Sequence, residues 1–219
     1  MVNRQTGTAR REALLDAALA CFRERGLVRT GIEDVRKAAG ASPSSVYHLF
    51  KGLPELIAAL LERTFVRRYA AVSARVLKAR TARTAVHALV DAHLAWVFGH
   101  AAEARFMYQA LALDLDGDYR EELRLMKEQL KADLRAHLAK LGVLPDEAAA
   151  DGVIDVVLLG TTHQACRTWL MAPEYVDTRW MKKVLPELAW QAARTVAVPA
   201  KARRPARERA RPRATRRSR

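Results

Sequence analysis

The sequence predicts an all-α protein, with an N-terminal three-helix unit that contains a helix-turn-helix and a C-terminal helical bundle. Three observations carry that expectation. Apolar residues recur at three- and four-residue spacing through most of the 219 positions, and no useful stretch alternates as a strand would. Glycine and proline are few and cluster at a handful of breaks. Between Thr30 and Phe50 two short helices meet at a glycine turn.

The first helix is expected from Ala9 to Arg25, after a frayed start. Leu14, Leu15, Ala17, Ala18, Cys21 and Phe22 form its apolar face, and Gly26 ends it. Arg4, Arg10 and Arg11 stand where a phosphate backbone could be reached. Thr30 and Glu33 have the spacing of a capping box, so Thr30 is expected to cap the second helix, whose inner face is Ile32, Val35, Ala38 and Ala39. Gly40 supplies the left-handed residue of a sharp C-terminal turn. Ser42 then caps a third helix with Pro43 at its first position, where a missing N–H costs nothing. On that helix Val46, Leu49 and Phe50 point inward, leaving the serines, Tyr47 and His48 outside. A capped helix, a tight turn and a polar-faced second helix are the parts of a DNA-reading helix-turn-helix.

A long helix from about Leu53 to about Ala79 follows, roughly 40 Å at the α-helical rise. Its stripe is Leu56, Ile57, Leu60, Leu61, Phe65, Tyr69, Val72 and Val76, and it links the reading unit to the rest. The segment from Ala85 to His100 is apolar around most of its circumference and belongs inside a bundle. Ala102 to Leu113 is a shorter helix, and Tyr119 to Leu141 a charged amphipathic one. Asp146 to about Leu170 reads as a single helix. Asp177 to Val198 is the last, with a kink or restart expected at Pro186.

The formal charge of +14 is concentrated at the C-terminus. From Pro199 to Arg219 there are ten Lys or Arg residues against Glu208 alone, which places +9 there and leaves +5 for the remainder. With no aromatic residue and no aliphatic one larger than alanine to bury, this Ala- and Pro-rich tail is expected to be disordered, and suited to sequence-blind contact with phosphates. Cys21 and Cys166 stand alone, outside any disulfide or metal spacing, and read as buried thiols. No apolar run is long enough to span a bilayer and no secretory leader is evident, so a cytoplasmic protein without a membrane partner is expected.

Arg11 to Ala18 with Phe22 and Gly26, Thr30 through Ala39-Gly40-Ala41-Ser42, and Val46-Tyr47-His48-Leu49-Phe50 resemble, in order and spacing, the opening of the TetR family of bacterial transcriptional regulators. The resemblance covers about the first quarter of the chain. It implies a DNA-binding unit over 9–55, an effector-binding and dimerisation bundle over 56–198, and the basic tail over 199–219. It implies a homodimeric, ligand-responsive repressor on a palindromic double-stranded DNA operator, with an unknown small-molecule effector and no cofactor. By position it places Pro43, Ser44, Ser45 and His48 near base edges and Tyr47 on a phosphate. Thr30, Arg36, Ser42 and Lys51 complete the expected DNA-contacting set. This copy carries Arg36 where the family usually has alanine, Ser44 for glycine and Leu49 for histidine, and Gly52-Leu53-Pro54 removes the usual lysine at the next helix start. Lys51 is expected to replace that lysine.

Two further expectations concern the bundle. A mostly apolar pocket is expected from His93, Trp96, His100, Met107 and Tyr108 facing Val157, Thr161, Gln164 and Trp169. A four-helix dimer interface is expected from Val153, Val157 and Leu158 together with Trp180, Val184, Leu188 and Ala192. The alternative reading is a small-molecule-binding helical protein, or a metal-dependent enzyme built on His87, His93 and His100. Against the enzyme, the spacing of His93 and His100 is too wide to share one metal, and no H-E-x-x-H, nucleophile elbow or phosphate-binding glycine loop occurs. No metal site and no catalytic residue is therefore expected.

Overall fold

The computed structural model describes residues 2–113, 117–144 and 152–196. Every regular element in them is helical: α1 (Val2–Arg25), α2 (Ile32–Ala38), α3 (Pro43–Leu49), α4 (Leu53–Val76), α5 (Ala82–Gly99), α6 (Ala101–Ala110), α7 (Gly117–Lys140), a π-helical segment (Val153–Leu158), α8 (Gly160–Met171), a 3-10 turn (Pro173–Tyr175) and α9 (Thr178–Val196). The basic tail lies outside the described residues.

Local chemistry explains most boundaries. Gly26, Gly40 and Gly142 hold positive φ at the ends of α1, α2 and α7. At Gly40 the turn closes by two bonds, Gly40 N–H to the Lys37 carbonyl and Ala41 N–H to the Arg36 carbonyl, both 3.1 Å. Ser42 caps α3 by accepting the Ser45 N–H at 3.3 Å. Thr81 and Thr84 cap α5 reciprocally at 3.2 Å.

Four expectations are corrected. The first helix starts at Val2 instead of Ala9. Thr30 is not the cap of α2: Gly31 is, and the reciprocal bond comes from Asp34, whose carboxylate accepts the Gly31 N–H at 2.9 Å. Thr30 is instead 3 % exposed and donates to the Gly26 carbonyl at 2.8 Å, tying down the end of α1. The helix expected from Asp146 is interrupted, because Leu159 N–H reaches back five residues to the Ile154 carbonyl and the α-helix resumes at Gly160. Residues 145–151 of that stretch lie outside the described residues. The helix does not restart at Pro186: α9 runs through it as one element with the ring buried.

One hydrophobic core runs through both parts of the chain. Leu14, Leu15, Phe22, Val35, Val46 and Phe50 bury the inner faces of α1–α3 against Leu56, Ile57 and Leu60 of α4. Phe22 of α1 stacks on Phe106 of α6 with ring centroids 5.4 Å apart. Arg63 of α4 donates to Glu12 at 2.9 Å and Asp16 at 2.8 Å, and Arg67 pairs with Glu103 at 2.8 Å. The α4 helix is thereby fastened to α1 on one side and α6 on the other. Burial of α5 over more than half of its circumference, from Ala85 and Val86 to Trp96 and Val97, leaves Arg83, Thr84 and Asp91 exposed on the remaining face.

Candidate nucleic-acid interface

The outer face of α3 follows from its inner one. Val46 is fully buried and Phe50 nearly so, and helical geometry then turns Ser44, Tyr47 and His48 to solvent. Ser42, Pro43 and Lys51 are exposed beside them, and Ser45 is half-buried. Ser42 and Ser44 share a hydrogen bond of 3.2 Å between hydroxyls. Tyr47 is 51 % exposed, and its hydroxyl makes only a long 3.5 Å contact to Glu33 of α2. A shallow concavity borders this face, walled by Arg10 and Ala13 of α1, the 39–42 turn, and Ser44, Ser45 and His48.

Arg36 does structural work here. Its Nε holds Glu33 at 2.7 Å and its Nη1 donates to the Ala41 carbonyl at 3.2 Å, so the guanidinium braces the turn between the two helices. Lys51 presents its ammonium at the end of α3, while its backbone N–H donates to Glu55 at 2.6 Å. Asp34 has its carboxyl held below the ordinary range by the Gly31 N–H, with Arg25 at 2.7 Å adding to the effect. Thr30 is sealed beneath this surface, which corrects its expected place among the phosphate-contacting residues.

The expected pocket set does not stay together. His93 and Tyr108 meet, with His93 Nε2 3.1 Å from the Tyr108 hydroxyl, and Met107 is buried near them in the core. Trp96 is buried, but it stacks on His100, which lies at the surface with Nδ1 3.0 Å from the Trp96 carbonyl oxygen. Trp169 packs edge-on against Phe98 at 4.8 Å. Thr161 and Gln164 face outward, and Val157 is half-buried. Facing inward in their place are Thr162, His163 and Cys166, and His163 Nδ1 lies 2.9 Å from the Tyr108 hydroxyl. Arg68 of α4 completes the chain, its Nη1 3.1 Å from His93 Nδ1.

Sequence reasoning passed over Arg68 and His163 although a signal was present. Arg68 stands three residues after Phe65 and four before Val72, on the apolar stripe itself. Burial is the main reason both imidazoles are held below their ordinary range, His163 at about 3, with Arg68 adding to it. Burial likewise pushes the Cys166 thiol up to about 12 and the Tyr108 phenol well above its usual value.

The histidines of the enzyme alternative do not converge. His93 is fully buried against Arg68 and Tyr108, His100 is on the surface, and His87 lies 3.4 Å from Glu187. Among the described residues no group of three or more His, Cys, Asp or Glu side chains is placed to hold a metal. No described helix is long and apolar enough to cross a membrane.

Of the expected dimer residues, Val153 and Leu158 are buried within the chain, which corrects their assignment to an outer face. Trp180 and Leu188 are about half exposed, at 48 % and 45 %, with Val184 and Ala192 half-buried on the same stripe of α9.

A helix-turn-helix whose second helix offers serines, a tyrosine and a histidine to solvent, with a lysine just beyond its end, and which is joined through one core to a helical bundle, has the arrangement of a DNA-binding unit on a helical domain. The profile of bacterial regulatory proteins of the tetR family matches residues 14–60. The HTH-type transcriptional regulator AqdR of Rhodococcus erythropolis is 44 % identical over 59 residues, an alignment covering 26 % of this chain and 28 % of that protein. The fold extends further: a TetR family transcription regulator of Marinobacter aquaeolei superposes with a TM-score of 0.66 at 14 % identity, over 88 % of this chain and 98 % of its own. A transcriptional regulator of Rhodococcus sp. gives 0.65 at 22 %, over 86 % and 99 %. Residues 14–60 therefore carry the DNA-binding domain of the tetR family, and the chain as a whole has the fold of these solved regulators, while it aligns with only about a quarter of the length of the curated relative.

Proposed function

We propose that the protein is a homodimeric, ligand-responsive repressor that reads a palindromic operator with one α3 helix per half-site. The observation that carries the reading is the division of α3 between a buried apolar edge and an exposed polar one. In the major groove, Ser44, Ser45 and His48 can hydrogen-bond base edges, with Pro43 at the tip. Tyr47 and Lys51 sit at the flank and reach phosphates, which set register without reading sequence. Ser42 and Arg36 shape the turn that aims the helix.

Dimerisation follows from the apolar stripe Trp180, Val184, Leu188 and Ala192 on α9. Paired with its symmetry mate, this stripe buries side chains otherwise left in water, and a two-fold axis sets two reading helices about one DNA turn, ~34 Å, apart. Control of DNA binding is assigned to α4. Its first turns pack under the reading unit, and Phe65 further along it lines a cavity in the bundle. A ligand that moves α4 changes the spacing of the two α3 helices and shifts the population away from the DNA-competent form.

Selecting bound duplexes from a random pool tests this. The expected result is an enriched inverted repeat that the full chain binds as a dimer, well above its affinity for a scrambled duplex. Enrichment of no sequence, or of a single unrepeated half-site bound by a monomer, would overturn the reading.

A further inference from the structure

Among the described residues, the charges at the centre of the bundle do not balance. Arg68 is 4 % exposed, and its guanidinium lies 4.4 Å from the Tyr69 ring and 5.8 Å from that of Phe65. One nitrogen meets His93, Nε has no hydrogen-bond partner, and no described carboxylate pairs with it. The groups around it cannot supply a negative charge near neutral pH. His93 and His163 are kept neutral, Tyr108 keeps its proton, and Cys166 stays a thiol. Asp155 is the carboxylate whose field reaches this cluster, and it is engaged by Lys131 at 2.5 Å. A buried cation without a counter-charge is among the costliest arrangements a protein interior can hold.

A cavity of about 610 Å³ lies between α4, α6, α7 and the π-helical segment, with Phe65 of α4 in its wall. Arg68 does not line this space, but its guanidinium lies 5.8 Å from the ring of Phe65, which does, and the Nζ of Lys127, also in the lining, lies 5.3 Å from the same ring. The remaining lining is apolar at Leu111, Leu123 and Val156, with Arg120, Arg124, Lys127 and Lys131 set against Glu128 and Asp155. Arg124 is matched by Glu121 and Glu128. The space is therefore greasy in body and cationic at its edge.

We propose that the ligand of this cavity is an amphipathic carboxylate. Its apolar body lies on Phe65, Leu111, Leu123 and Val156, and its single negative charge answers the positive field of Arg68 and Lys127. The proposal rests on reading the bundle as an effector-binding module. It narrows the effector to a class: neutral lipids and cationic amphiphiles lack the charge, and small polar acids lack the body to fill apolar walls.

Calorimetric titration of the full-length protein with sodium decanoate, 1-decanol and decylamine, each below its aggregation limit, tests this. Decanoate is expected to bind at least tenfold more tightly than decanol, with decylamine weakest, and the decanoate affinity alone should fall as NaCl is raised. Arg68→Met is expected to erase most of that preference while leaving decanol binding in place. Should Arg68→Met fail to fold, Lys127→Met must lower decanoate affinity several-fold without changing that of decanol. Equal binding of decanoate and decanol, preference for decylamine, or a preference untouched by both substitutions would overturn the carboxylate assignment and leave the effector cavity standing. Failure of all three to bind would overturn both.

Discussion

Replacing Tyr47 by phenylalanine isolates one hydroxyl. In the free protein that hydroxyl is exposed and makes a 3.5 Å contact with Glu33, at the limit of hydrogen-bond length, so the folded state loses little. In the proposed complex with DNA the same hydroxyl donates to a phosphate oxygen, a bond worth about 1 kcal/mol net. A dimer makes two such bonds, so Tyr47→Phe should weaken operator binding by about 2 kcal/mol, roughly 30-fold. Because a phosphate carries no sequence information, the loss should be the same on a matched and a scrambled duplex. Because tyrosine is uncharged, the dependence of affinity on salt should keep its slope. Fluorescence anisotropy of labelled duplexes across a salt series, with thermal melts of the free protein, measures all three. A loss confined to the matched operator would move Tyr47 to a base edge. A lowered melting temperature would make it a structural residue, and either result refutes the assignment.

The other predictions probe different parts of the molecule. Lys51→Ala removes one cation per protomer and should flatten the logarithmic salt slope by about two across the dimer, measured on the same duplexes. Leu188→Glu places a charge in the apolar stripe of α9 and should give a monomer of unchanged helicity with greatly reduced operator affinity, read by sedimentation and anisotropy. Acid should destabilise the bundle through His93 and His163. An unfolded chain protonates these imidazoles as pH falls through about 6.5, whereas folded His163 stays neutral down to about 3. The unfolded state therefore binds more protons between those values. Stability is complete above about pH 6.5 and declines below it, by about 2 kcal/mol for His163 alone at about pH 5. Urea midpoints against pH should show this slope, and His163→Phe should reduce it.

How much was legible beforehand depends on how local the governing interaction is. The inner and outer faces of α3 were readable because Val46 and Phe50 declare the buried side within one turn of helix, and Ser42 and Pro43 mark its start. The turn at Gly40 was equally plain. Thr30 was misassigned because a threonine before a helix satisfies two geometries. Whether its hydroxyl meets the start of α2 or the end of α1 depends on a tertiary approach. Arg36 was placed among the DNA-contacting residues, and only the fold shows its Nη1 donating to the turn carbonyl of Ala41.

The bundle interior shows the reverse case. Periodicity correctly marked α5 as buried and α9 as amphipathic, since those properties belong to single helices. Which residues meet across helices was decided by the fold. The π-helical turn ending at Leu158 inserts one extra residue, about 100° of helical rotation, ahead of α8. That rotation turns Thr161 and Gln164 outward and brings Thr162, His163 and Cys166 inward, against the face expected of an unbroken helix. Arg68, His93, Tyr108 and His163 come from four helices, so no local pattern could announce their cluster. By itself the sequence determined an all-helical chain with a capped helix-turn-helix, because caps, glycine turns and apolar stripes act within a few residues. Only the tertiary structure decided that Arg68, with no carboxylate partner among the described residues, lies at the centre of the bundle, because charge balance is set by neighbours distant along the chain.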